Sequence, residues 1–146
     1  TETIDRAIDD LGLSLMVLRL GHRDDVPDLL QGADLFVSTS ISEGLPGAIV
    51  EALGMGLPVV AFDVPGVTDV LESGHPGLVP FGDVETLVDR IEKVLAEPDF
   101  RRDMAARARA RFEEAFEIGG YVERVGDLYG AILARRDQTP DRVDRR

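Results

Sequence analysis

The chain contains no cysteine. Disulfides, thiolate metal sites and thiol nucleophiles are therefore all excluded. Histidine is nearly as scarce. His22 and His75 stand far apart in sequence, so a multi-histidine metal site cannot be assembled. Neither sits beside a nucleophile motif that would suggest a Ser/His/Asp relay. Lysine is reduced to Lys93, and the 16 basic residues face 28 acidic ones, for a net charge of −12. Nucleic acid and anionic membranes both reward clustered Lys and Arg, so neither is expected as a main partner. A high-salt cytoplasm favours such an acidic, lysine-poor surface, and GC-rich coding favours Arg over Lys equally well. No apolar run approaches the roughly 18 residues of a membrane span. No signal-peptide or targeting pattern is present, so the expected location is the cytoplasm.

What remains is the composition of one ordinary globular domain. The chain has 146 residues, 44% of them apolar, enough to bury a core. Short apolar runs alternate with helical segments, the signature of a parallel α/β sheet. The pattern predicts strands at 13–20 (LSLMVLRL), 35–39, 57–62 and 77–80. Helices are expected at 4–11, 27–32, 46–55 and 67–72, and from a cap at Asp83 through Leu95. Beyond Pro98 the alternation stops, and two consecutive helices follow at 100–116 and 118–135. The segment 137–146 reads as a flexible tail. A free-standing doubly wound domain usually opens with its central strand, whereas this chain opens with a helix fragment. Upstream strands are therefore expected to be missing.

The segment that carries chemistry is 35–62: strand LFVST, loop SISEGL, helix PGAIVEALGM and strand LPVVAF. A strand–loop–helix unit aims the helix N-terminus at the carboxyl edge of the sheet. There the unpaired N–H groups and the helix dipole make an anion site. Gly47, Glu51 and Gly54 fall on one stripe of the helix. A glycine inside a helix costs about 1 kcal/mol relative to Ala, so either close packing or a ligand must account for the pair. Glu43 precedes the helix start. It is either a carboxylate favoured by the dipole or a group that orients a polar ligand.

Glu43 and Glu51 are separated by seven residues and flank Gly44-Leu45-Pro46-Gly47. The run SEGLPGAIVEALGMGLPVVAFDVPGVTDVLESG resembles the donor-binding core of the retaining GT-B glycosyltransferases of family 4, the glycosyl transferases group 1. Flanking segments LGHRDDVPDLLQGADLFVSTS and HPGLVPFGDVETLVDRIEKVL are similar too, and the resemblance covers roughly residues 3–136. It implies the C-terminal half of a GT-B fold, truncated at its N-terminus: a Rossmann-like parallel sheet flanked by helices, ending in two consecutive helices. Residues 1–136 would be a partial C-terminal nucleotide-sugar-binding domain. The implied activity is metal-independent hexosyl transfer from a nucleotide-diphosphate sugar to an acceptor, with retention of configuration.

By the same resemblance, Glu43 would be the catalytic glutamate at the donor sugar. Gly44, Leu45, Pro46 and Gly47 would line the donor diphosphate, Pro46 without an N–H to offer. Glu51 would hold the ribose hydroxyls. His22 and Arg23 would lie near the base, although a plain exposed loop explains them equally well. No metal or cofactor is implied beyond the nucleotide-sugar donor substrate. The partner would be the missing N-terminal acceptor-binding domain, to which any peripheral membrane contact would fall. This portion alone would not transfer sugar. The family's phosphate-binding Arg and Lys lie upstream of it, and Pro65 and Asp69 depart from the commoner Gly and Glu. A non-catalytic nucleotide-sugar-binding or regulatory α/β module is the alternative.

Overall fold

A computed structural model describes residues 2–137. The elements run α1 (Glu2–Asp10), α2 (Val26–Gln31), β1 (Phe36–Ser38), α3 (Gly47–Gly54), β2 (Val59–Asp63), α4 (Val67–Leu71) and β3 (Leu78–Pro80). Three helices close the chain: α5 (Val84–Ala96), α6 (Pro98–Ala115) and α7 (Ile118–Asp137). From α2 onward the expected alternation is present, and so is the change to consecutive helices. α7 runs through Asp137, and the rest of the expected tail lies outside the described residues. Among the described residues, no helix is long and apolar enough to cross a membrane.

The sheet is parallel, in the order β1-β2-β3. Phe36 pairs with Val59 and Ser38 with Ala61 on one side of β2, and Ala61 pairs with Leu78 on the other. Val59, Val60, Ala61 and Phe62 are all buried, so β2 is covered on both faces, as a strand in a parallel sheet must be. Ile49, Ala52 and Leu53 of α3, at helical spacing, reach the same core. Val67, Val70 and Leu71 of α4, Leu87 and Val94 of α5, and Met104 and Ala108 of α6 complete it. Each fully buried side chain of Leu or Val size contributes about 1.5–3 kcal/mol. Asp83 caps α5 as expected, accepting from the Thr86 N–H at 3.0 Å and its hydroxyl at 2.7 Å. The backbone and hydroxyl bonds from Thr86 hold its carboxyl below the ordinary aspartate range.

One expected strand is absent. Residues 14–16 form a turn and 17–20 run on without regular structure, with the Met16 and Val17 N–H groups both donating to the Leu13 carbonyl at 2.8 and 2.9 Å. Leu15 and Leu18 stand 98% and 78% exposed. An apolar run becomes a strand only where a neighbouring ladder satisfies its N–H and C=O groups. Among the described residues, no strand pairs with this segment.

The entry to β3 is tightly built. The Gly77 carbonyl accepts from the Ala61 N–H at 2.9 Å, and its own N–H donates to His75 Nδ1 at 3.0 Å. Burial, then the nearby Arg107 and Arg90, lower the His75 pKa, against a smaller opposing pull from Glu72. A histidine with a depressed folded pKa contributes stability above its unfolded value, about 6.5. That stability is lost as pH falls through the folded value. The melting temperature is therefore expected to decline as pH is lowered below about 6.5. His75→Asn keeps an acceptor but cannot take a proton, and should remove that part of the decline. Parallel melting curves of the two proteins across this range are the check.

Candidate functional site

Because the strands are parallel, the chain leaves β1 and β2 at the same edge of the sheet. From β1 it passes through the loop 39–46, which carries Glu43 half-buried and Gly44 and Leu45 exposed. Pro46 is buried and is the N-cap of α3, where no side chain donates or accepts a capping bond. Its carbonyl accepts from Ile49 and Val50 at 3.0 and 3.2 Å. The helix therefore starts at Gly47, one residue later than the sequence pattern predicts, because proline fixes the turn but supplies no cap. Gly47 and Ala48 are exposed at this uncapped end. Their N–H groups and the positive end of the dipole make it suited to an anion.

The glycine stripe of α3 divides into two roles. A Cβ added at Gly47 would meet nothing within 4 Å. One added at Gly54 would stand 3.0 Å from the ring of Phe112 on α6. Gly54 is thus a packing position, and Gly47 is open space at the candidate site. Arg109 secures the packed end. Its guanidinium donates to the Gly54 carbonyl at 2.7 Å and to Glu113 at 2.7 Å, with Phe112 beneath it. A cation there also complements the C-terminus of α3.

Glu51 is exposed, one turn into α3. It lines a cavity of about 360 Å³ together with Pro27 and Leu30 of α2 and Arg109 and Phe112 of α6. Glu43 is not part of that cavity. His22 is fully exposed, with its Nε2 3.8 Å from the Asp24 carboxylate. Arg23 binds Asp25, the N-cap residue of α2, through Nε at 2.6 Å and through a second guanidinium contact. The pairing raises the Arg23 pKa and lowers that of Asp25. Among the described residues, neither His22 nor Arg23 bonds to Glu43 or Glu51. The link from this segment to the site runs instead through Pro27 and Leu30. Among the described residues, no group of three or more His, Cys, Asp or Glu is gathered where a metal could be held.

A neighbour that spacing does not reveal completes the site. Gly66, in the turn between β2 and α4, has φ +84° and lies against the backbone of Glu43 and Gly44. The sequence signal available was Pro65-Gly66 directly after a strand, which marks a turn but not what the turn touches.

Residues 1–111 match the family described as "Glycosyl transferases group 1". The chain is 30% identical to UDP-Gal:alpha-D-GlcNAc-diphosphoundecaprenol alpha-1,3-galactosyltransferase of Escherichia coli, over 82% of this chain and 31% of that one. It is also 30% identical to N-acetyl-alpha-D-glucosaminyl L-malate synthase of Bacillus anthracis, over 90% of this chain and 35% of that one. Among solved structures, Anabaena HepE in complex with UDP and glucose superposes with a TM-score of 0.79 at 28% identity, over 89% of this chain and 36% of HepE. Sucrose-phosphate synthase of Thermosynechococcus elongatus gives a TM-score of 0.82 at 26% identity, over 92% of this chain and 34% of that one. The chain thus spans about a third of the length of the relatives it matches.

The two helix glycines are expected to respond oppositely to alanine. Gly47→Ala fills empty space and restricts the unfolded chain, and should raise stability by up to about 1 kcal/mol. Gly54→Ala presses on Phe112 and should lower it. Thermal or urea melts of the pair read both signs.

Proposed function

This chain belongs to the glycosyl transferases group 1 family and has the Rossmann-like α/β fold of GT-B transferases, and from that premise we propose that it is the donor-binding lobe of a retaining glycosyltransferase. The observation that carries the reading is the uncapped N-terminus of α3, open at Gly47, with Glu43 on the loop leading to it and Glu51 one turn further on. The donor's diphosphate sits at the exposed N–H groups of that end, where the dipole favours negative charge. Glu51 takes the ribose hydroxyls, and the cavity beside it accepts the neighbouring part of the nucleotide. That HepE was solved with UDP and glucose supports a nucleoside-diphosphate sugar as donor.

In this reading Glu43 lies at the sugar. As the bond from the anomeric carbon to the diphosphate oxygen lengthens, positive charge grows on the ring and negative charge on the leaving group. A carboxylate near the first and a helix N-terminus near the second stabilise both, being fixed before the reaction begins. The acceptor hydroxyl then bonds to the anomeric carbon on the face the diphosphate leaves, and its proton passes to the departing phosphate. The diphosphate is neutralised by the helix end and by cationic side chains supplied from upstream in the same domain, without a metal. The acceptor is held by a separate lobe, consistent with the share of the relatives that this chain spans. Exposed apolar residues on α7, among them Tyr121, Leu128 and Ile132, offer a surface for such a lobe.

The two glutamates should fail differently in the complete transferase. Glu51→Gln removes an interaction present equally in ground and transition states, so the donor KM rises while kcat is largely kept. Glu43→Gln should lower kcat by on the order of 10²-fold. Both side chains are at least partly exposed, so melting curves should move little. Steady-state kinetics of the two variants decide the matter. Equal losses of kcat would sink the division of roles, and full activity in Glu43→Gln would sink the catalytic assignment of Glu43.

A further inference from the structure

The contact at Gly66 goes beyond holding a turn. A Cβ built on it would stand 2.4 Å from the Glu43 carbonyl oxygen, 2.6 Å from that of Gly44 and 2.9 Å from the Glu43 carbonyl carbon. All three atoms are backbone, so no side-chain rotation can relieve the overlap. We propose that Gly66 is a positioning residue for Glu43, its bare α-carbon being the seat on which the Glu43–Gly44 peptide rests. This rests on the reading of Glu43 given above and adds to it the element that sets its place.

Which side would yield to a side chain follows from how each is held. The turn beneath is fixed at both ends. The Val67 and Thr68 N–H groups donate to the Val64 carbonyl at 3.1 Å, and the Val70 N–H donates to the Gly66 carbonyl at 3.2 Å. The Thr68 hydroxyl lies 3.1 Å from the Val64 carbonyl and also contacts the Asp63 carboxylate. Val67, Val70 and Leu71 are buried in the core. At the far end of α4, Arg111 reaches across from α6. It donates to the Val70 and Asp69 carbonyls at 2.9 and 3.2 Å and pairs with Glu72 at 2.8 Å. Among the described residues the loop above shows no comparable anchorage, with Ser42, Gly44 and Leu45 all exposed. A methyl group at position 66 would therefore lift the loop and leave α4 in place. Restoring ordinary contact requires a retreat of about 1 Å, a displacement that can cost about 10²-fold in rate.

The control is built into the chain. Gly74 has φ +83°, nearly the same as Gly66, but a Cβ there meets nothing within 4 Å. Alanine at either position carries left-handed backbone strain, and only at 66 does it strike Glu43. In the complete transferase, Gly66→Ala and Gly74→Ala are both expected to lower the melting temperature, Gly66→Ala by more because of the added overlap. Only Gly66→Ala should lower kcat, by about 10²-fold. Because Gly66 acts through Glu43, adding Gly66→Ala to Glu43→Gln should cost little further kcat, a coupling that a merely structural role would not produce. Unchanged kcat in Gly66→Ala, or losses that simply multiply in the double variant, would overturn the proposal.

If Glu43→Gln alone keeps full kcat, the catalytic reading of Glu43 is what fails. The amide NMR shifts of Gly44 and Gly47 then still report whether Gly66→Ala moves the loop, and unmoved shifts would overturn the contact itself. Should Gly66→Ala not fold, Thr68→Val frees the same turn while keeping side-chain volume. A several-fold fall in kcat that disappears in the Glu43→Gln background would support the proposal, and full activity would reject it.

Discussion

β2 is hydrogen-bonded to a strand on each side and buried on both faces, and every part of the candidate site is placed relative to it. Its pairing with β1 fixes where the loop of Glu43 leaves the sheet. Its own end passes into the turn that meets that loop from below. Gly77 lies so close to the Val59 carbonyl that an added Cβ would stand 1.9 Å from it, which locks the third strand to the same backbone. A parallel ladder this enclosed cannot slide by one residue without turning its valines out of the core. The geometry at the carboxyl edge thus inherits the rigidity of the core.

Electrostatics of the lobe sharpen the role of the helix end. A net charge of −12 repels a diphosphate over long range. Arg23 and Arg109 are already committed, the first to Asp25 and the second to Glu113 and the Gly54 carbonyl. What this segment offers an anion is backbone N–H and dipole, at a place where glycine lets a ligand approach. Three glycines in this region serve three distinct physical ends. Gly47 leaves space, Gly54 admits an aromatic ring, and Gly66 allows two backbones to touch.

Much of this was legible in the sequence. Local signals carried 35–62 and the cap at Asp83, because strand runs, a proline at a helix start and an N-cap aspartate act within a few residues of themselves. The carboxylate pair was legible as a motif, and its setting on a loop and on an exposed helix turn follows from the same unit. Pairing and contact over distance were not legible. The run at 13–20 has a strand's composition, but composition cannot say whether a ladder stands beside it. The glycine stripe left packing and ligand space undecided, because the answer lay in Phe112, far along the chain. Gly66 was visible only as a turn residue, since what it touches arrives through the fold. His22 and Arg23 stay as open to an exposed-loop reading as they were, their contacts being with adjacent aspartates.

The sheet also has consequences for how copies of this lobe behave together. Among the described residues β1 has one neighbour, so its other side presents unpaired backbone groups, with Val37 40% exposed beside them. Such an edge is a template for strand addition by another chain. The strongly negative surface opposes that encounter while its field extends outward, over about 10 Å at 0.1 M salt and about 3 Å at 1 M. For this lobe on its own, added salt removes the repulsion and leaves the adhesive edge. Its colloidal behaviour should therefore worsen with ionic strength, the reverse of a protein kept apart by shape alone.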